Sequence, residues 1–233
     1  MRGLQKSEWA ILIGLLILSI VPCFGGALRL LELFGGPQVV PENPRVHSAP
    51  IPVIIHLLGS IPFCLLGILQ FLPSVRRAYP KWHRRSGRFV VVAGLRAAIS
   101  GLWMTEFYDF PEELQGPLLY WVRYFVGFGM IAALALALSA VFKKRIPEHK
   151  AWMLRAYALG QGAGTQVLVA IPWALAVGEP VGMTRDILMT LAWVINLAVV
   201  QLIISGSRKV SPQPPDIGDM KPRERQFDPA TAP

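Results

Sequence analysis

The chain has 233 residues and a formal net charge of +9; 53% of its residues are hydrophobic and 16% charged. A soluble domain is usually about one quarter charged, so the composition excludes an ordinary soluble domain and indicates a membrane protein. The basic residues fall in short segments between apolar runs, with no basic face or reading motif, which argues against nucleic acid as a partner.

Residues 1–8 are a short polar start carrying Arg2 and Lys6. Residues 9–31 form a first span, long enough for the ~20 residues that a bilayer core demands. That exceeds the apolar core of a cleaved signal peptide, about 7–15 residues, so the run reads as a retained helix. Pro22 and the Gly25-Gly26 pair are placed to bend it. A Pro- and Gly-rich connector over 32–50 ends it, and residues 51–72 form the second span, with Pro52 tolerated in a first turn.

A basic loop follows, centred on Lys81-Trp82-His83-Arg84-Arg85-Ser86-Gly87-Arg88. Residues 89–107 make the third span, 108–115 an acidic connector and 117–142 the fourth span. A second basic loop from Lys143 leads into Glu148-His149-Lys150-Ala151-Trp152-Met153-Leu154-Arg155. The fifth span covers 151–177 and the sixth 187–205. Residues 207–233 are Pro-rich, charged and without periodicity, and read as a disordered tail. The expected fold is all-α: one bundle of six transmembrane helices over residues 9–206.

Lys and Arg crowd the two basic loops and the two ends, whereas the other three connectors carry mostly acids. The positive-inside rule therefore puts both termini in the cytoplasm and the chain in the inner, cytoplasmic membrane. Trp82 and Trp152 would sit at headgroup level, with the basic loops on anionic lipid phosphates.

Polar residues inside spans are costly and face other helices or a cavity. His56, Ser60, Phe63, Gly67 and Gln70 share one face of the second span. His149, Met153, Ala156, Gly160 and Gly164 share a face of the fifth, and the last two form a GxxxG pair suited to helix packing. Arg96 lies seven residues into the third span, roughly 10 Å at 1.5 Å per residue, and either snorkels to the cytoplasmic headgroups or pairs with an anion. Asn196, mid-span in the sixth helix, is expected to hydrogen-bond across to Gln161 or Gln166. Cys23 and Cys64 lie in apolar runs without CxxC spacing, so neither reads as a metal thiolate or a structural disulfide.

Imidazole ligates haem iron, carries protons or satisfies a buried hydrogen bond. His83 and His149 fall on the cytoplasmic side, whereas His56 lies near the opposite face, more than ~20 Å away across a ~30 Å core. His83 and His149 are thus the candidate axial pair for a haem b. Arg84, Arg88 and Arg155 would pair with its propionates. The same arginines suit phospholipid phosphates, the plainer reading. His47, in an outer loop, reads as solvent-exposed and incidental.

Three stretches carry a resemblance: His56 with Gly59 and Leu66-Gly67-Ile68-Leu69-Gln70-Phe71; His83-Arg84-Arg85-Ser86-Gly87-Arg88; and the run from His149 to Leu159. They resemble the DUF2306-like family of bacterial multi-spanning membrane proteins of unknown function, from His56 to about Ser205. The resemblance implies the span count and picks out His56, His83 and His149. It also implies a further arginine late in the fifth span, where this chain has Thr165-Gln166-Val167.

Three functions stay open. The first is a membrane redox or haem-binding protein. The second is a non-enzymatic accessory or assembly subunit, packed against a larger membrane complex or a second copy of itself. The third is a small-molecule or lipid carrier using the stripe from His56 to Gln70, with Asn196, Gln161 and Gln166 facing it. No nucleotide-binding loop, zinc signature, Ser-His-Asp order or pair of catalytic carboxylates is present. Glu106, Asp109, Glu112 and Glu113 read as a solvated outer surface.

Overall fold

The structure is a computed structural model that describes residues 4–209, with side chains to residue 206. Among the described residues every regular element is a helix, nine in all. Most of the expected tail lies outside them.

Helix α1 (Lys6–Leu33) starts earlier than the apolar run because Glu8 reaches back to the Gln5 amide at 2.9 Å. The same carboxylate accepts from the Ser74 amide at 2.6 Å and the Ser74 hydroxyl at 2.5 Å. That pins the start of α1 to the short helix α4 (Pro73–Ala78). Between them lie the short α2 (Pro44–Ser48) in the connector and α3 (Pro50–Gln70). Glu32 is not idle either: it pairs with Arg29 at 2.9 Å and with His47 at 3.0 Å, so His47 tethers the connector.

Helix α5 (Pro80–Phe107) begins inside the basic stretch, so the segment from Lys81 to Arg88 is helix, not loop. Pro80 is pre-organised for a first turn, and long basic side chains favour helix once their charges reach solvent. Helix α6 (Pro117–Phe142) matches its expected span. Buried Asp186 accepts from the Gly116 amide at 3.1 Å and the Leu119 amide at 2.9 Å, capping α6 from α9 (Gly182–Lys209).

The fifth span is the main departure. A single helix over 151–177 was expected, but the chain forms α7 (Ile146–Gly160) and α8 (Gly162–Ala176), which meet at Gln161. Among the described residues five helices, α1, α3, α5, α6 and α9, are long and apolar enough to cross a membrane; α8 is apolar but has only 15 residues.

The exterior is apolar: Phe24, Phe125 and Leu202 are 65%, 72% and 73% exposed. Such a surface belongs in hydrocarbon. Inside, Phe63, Leu134, Ala137 and Ala156 are almost fully buried. The most extensive packing joins α3 to α5 and α6 to α7, while α8 fills the gap between α1 and α9. Small residues set these spacings. A side-chain carbon on Gly59 would stand 2.6 Å from the Ala93 carbonyl, and one on Gly164 would collide with the Leu18 carbonyl. Backbone approach of this kind is how membrane helices pack without a hydrophobic driving force.

A candidate chamber at a broken helix

A helix that stops leaves carbonyls without intrahelical partners, and inside a bilayer no water can take them. At the α7 end, the Gln161 amide takes the Tyr157 carbonyl at 2.9 Å, and the next three carbonyls are met by side chains from elsewhere. The Trp193 indole donates to the Leu159 carbonyl at 3.1 Å, and the Asn196 amide donates to the Ala158 carbonyl at 3.0 Å. The Cys64 thiol makes a long contact of 3.8 Å to the Gly160 carbonyl. Asn196 also accepts from the Thr165 hydroxyl at 2.7 Å, so one side chain holds both halves of the break. Its partners are thus Ala158 and Thr165, not the expected Gln161 or Gln166, because the break presents carbonyls nearer to hand.

Gln161 is 3% exposed. Its amide nitrogen donates to the Ser19 hydroxyl at 2.8 Å and to the Tyr157 hydroxyl at 3.1 Å. Tyr157 in turn donates to the Cys64 carbonyl at 2.7 Å. The carboxamide oxygen of Gln161 is buried and has no partner.

That residue lies on the wall of a cavity of about 440 Å³, bounded by α1, α3, α5, α6, the α7–α8 break and α9. His56 is on the same wall, with Nδ1 2.9 Å from the Ala97 carbonyl and 3.4 Å from the Ser100 hydroxyl. The close approach at Gly59 brings α5 within its reach. Ser60, Phe63, Cys23, Cys64 and Gln166 also line the space. The free thiols of Cys23 and Cys64 are both buried.

At the end away from the basic loops stand Asn43, Arg45, Phe110 and Arg123. The guanidinium groups of Arg45 and Arg123 sit over the Phe110 ring, 4.7 and 4.8 Å from its centroid. Arg123 also donates to the Gln115 carboxamide oxygen. Asn43 Oδ1 and Arg45 Nε are buried without partners.

The other expected site residues are dispersed. Gln70 donates to the Ser86 hydroxyl at 2.8 Å and ties α3 to α5, outside the chamber. Arg96 is exposed and lines a second, outward-facing groove with Ser48, Ile55 and Trp103. Those neighbours lie toward the end opposite the basic loops, not at the cytoplasmic headgroups expected for a snorkelling chain. Gly160 and Gly164 serve packing: a side chain there would meet Phe63 and the Leu18 backbone. Glu106 is engaged, accepting from the Tyr120 hydroxyl at 2.7 Å and from that of Tyr124.

His83 lies within reach of the charges of Arg76 and His149. His149 Nδ1 is 2.9 Å from the Ala137 carbonyl, and His83 Nδ1 is buried without a partner. Arg155 turns away, over the Trp152 ring at 4.6 Å and donating to Gln201 at 3.0 Å. Arg84 and Arg88 are exposed, and neither cavity described above reaches the histidine pair.

Sequence reasoning missed Arg45 and Arg123. A signal existed for the second: Arg123 is a lone charge within an otherwise apolar run, and an ionisable residue inside a span is a site candidate by default. Arg45 carried no such signal, because a connector arginine is ordinary.

Apolar-surfaced helices around an internal chamber define a polytopic α-helical membrane protein. Residues 53–204 match the family described as "Predicted membrane protein (DUF2306)", and the chain belongs to that family. No curated protein and no solved structure matches it. The matched segment holds His56, Arg123 and Gln161; the chamber walls from α1 and α2 lie outside it.

Proposed function

We propose that this protein is a membrane carrier that holds a small molecule in the chamber at the α7–α8 break. The observation that carries this reading is the chamber of about 440 Å³ at that break, with Gln161, His56 and Ser60 on its wall. Irregular backbone at membrane depth is tolerated where it lines a cavity, and carriers place their binding sites at such interrupted helices. On this reading α7 and α8 together make the sixth crossing. Both termini and the basic loops face the cytoplasm of an inner membrane, with the loops on anionic lipid.

The test is mass spectrometry of solvent extracts from the purified protein, comparing wild type with Ser60→Trp, which fills the chamber. A small molecule in stoichiometric amount, lost from S60W, is the expected result. Identical extracts from a folded S60W and wild type would end the reading.

For haem, the acceptor-held Nδ1 of His149 counts in favour and the unpartnered Nδ1 of His83 against, and the fit is poor. Haem iron usually takes Nε2 while Nδ1 is held by an acceptor, and Arg155 is committed to Trp152 and Gln201. An absorption spectrum of the purified protein, before and after dithionite, decides the haem question: stoichiometric reduced haem bands lost in both H83A and H149A would restore it.

A further inference from the structure

The chamber has a chemical polarity that narrows its ligand. At one end Arg45 and Arg123 converge, and Arg185 lies within reach of Arg123's charge. The nearby carboxylate, Asp186, spends both oxygens on the Gly116 and Leu119 amides. Among the described residues neither Arg45 nor Arg123 forms an ion pair with a carboxylate. Arg45 Nε is a buried donor without an acceptor. Buried donors left unmade are costly, and guanidinium groups match carboxylate or phosphate oxygens two at a time.

The rest of the chamber is unlike an inorganic-anion site. Beyond the arginines its walls are mostly apolar, with Phe63, Leu102, Met130 and Leu159, and His56 and Ser60 are polar groups among them before Gln161. The volume of about 440 Å³ is near the small end of small-molecule pockets, ~300–1,000 Å³. It suits one hydrocarbon chain, not two.

We infer that the ligand is a single-chain amphiphile with an acidic head, carboxylate or phosphate. The head lies against the Arg45 and Arg123 guanidinium groups beside Phe110, and the chain runs along Met130 and Leu159 toward the α7–α8 break. This rests on the chamber reading and specifies its substrate class.

The test is calorimetric titration of the full chain in phosphatidylcholine nanodiscs, with empty nanodiscs as the partition background. The probes are decanoate, decyl phosphate, decanol and decylammonium. At least one anion should bind saturably and about tenfold or more tighter than decanol, with decylammonium weakest. The two anions together show which head is preferred. Arg45→Gln and Arg123→Gln should each lower anion affinity about tenfold and leave decanol unchanged, and Arg123→Lys should recover part of the loss. Decanol binding as tightly as the anions, or anion binding unchanged in both glutamine variants, would overturn the acidic head and leave the chamber standing. Absence of saturable binding by every probe overturns this inference too. Failure of the chamber itself shows separately, as unchanged extracts from S60W.

Discussion

Thr165 and Asn196 are joined by a hydrogen bond of 2.7 Å, and the same asparagine holds the Ala158 carbonyl at 3.0 Å. One residue on α9 therefore bridges the end of α7 and the start of α8. The break is a held structure, and its stability is open to measurement.

Replacing Asn196 by Leu keeps the volume but frees both partners. We expect a loss of about 0.5–2 kcal/mol, the range for a buried or interhelical hydrogen bond. Thr165→Val should cost less, because Asn196 keeps its second bond. Reversible unfolding of detergent-solubilised protein checks the order; N196L as stable as wild type would mean that the break needs no staple.

The α3–α5 seam offers a sharper contrast between two glycines. A side-chain carbon on Gly59 would stand 2.6 Å from the Ala93 carbonyl and 2.8 Å from the Ala97 amide, both backbone atoms. Gly59→Ala should cost about 1–3 kcal/mol by overpacking and loosen the His56 contact to Ala97. Gly14→Ala, with nothing within 4 Å, should cost nothing. Equal melting temperatures for the two variants would contradict the close approach.

Asp186 is fully buried and caps α6 through two amides. Asp186→Ala should cost about 1–2 kcal/mol, and Asp186→Asn, which retains one acceptor, about half as much. Hydrogen exchange at the Gly116 and Leu119 amides is the local readout. It should speed up in the order wild type, D186N, D186A.

Orientation is tested by a reporter fused after Lys209 and by a cysteine placed at Glu112. The fusion should report cytoplasm and the cysteine should react with impermeant thiol reagent from outside. The reverse pattern would invert the bundle and put the Arg45–Arg123 end of the chamber on the cytoplasmic side.

Much of the fold was legible before any coordinates. The span over 117–142 coincides with α6, and those over 51–72 and 9–31 differ from α3 and α1 by a few end residues. The basic stretch from Lys81 to Arg88 was misread as loop because high charge density resembles a connector, although nothing in it breaks a helix. The break at Gln161 left only a faint trace in Gly160, Gly162 and Gly164, which also suit an unbroken packing face. His56 reads from the sequence as part of a polar stripe ending at Gln70; the structure gives it the Ala97 carbonyl as partner and leaves Gln70 outside the chamber.

By itself the sequence determined that this is a helical membrane protein, where its apolar runs lie and which ends carry the basic charge. Those properties are local: hydropathy and charge are summed over neighbouring residues. Only the tertiary structure decided that the fifth run splits, that Trp193 and Asn196 satisfy its freed carbonyls, and that Arg45 and Arg123 meet over Phe110. Each depends on residues far apart in the chain brought within a few ångströms, and helix packing, not composition, fixes that distance.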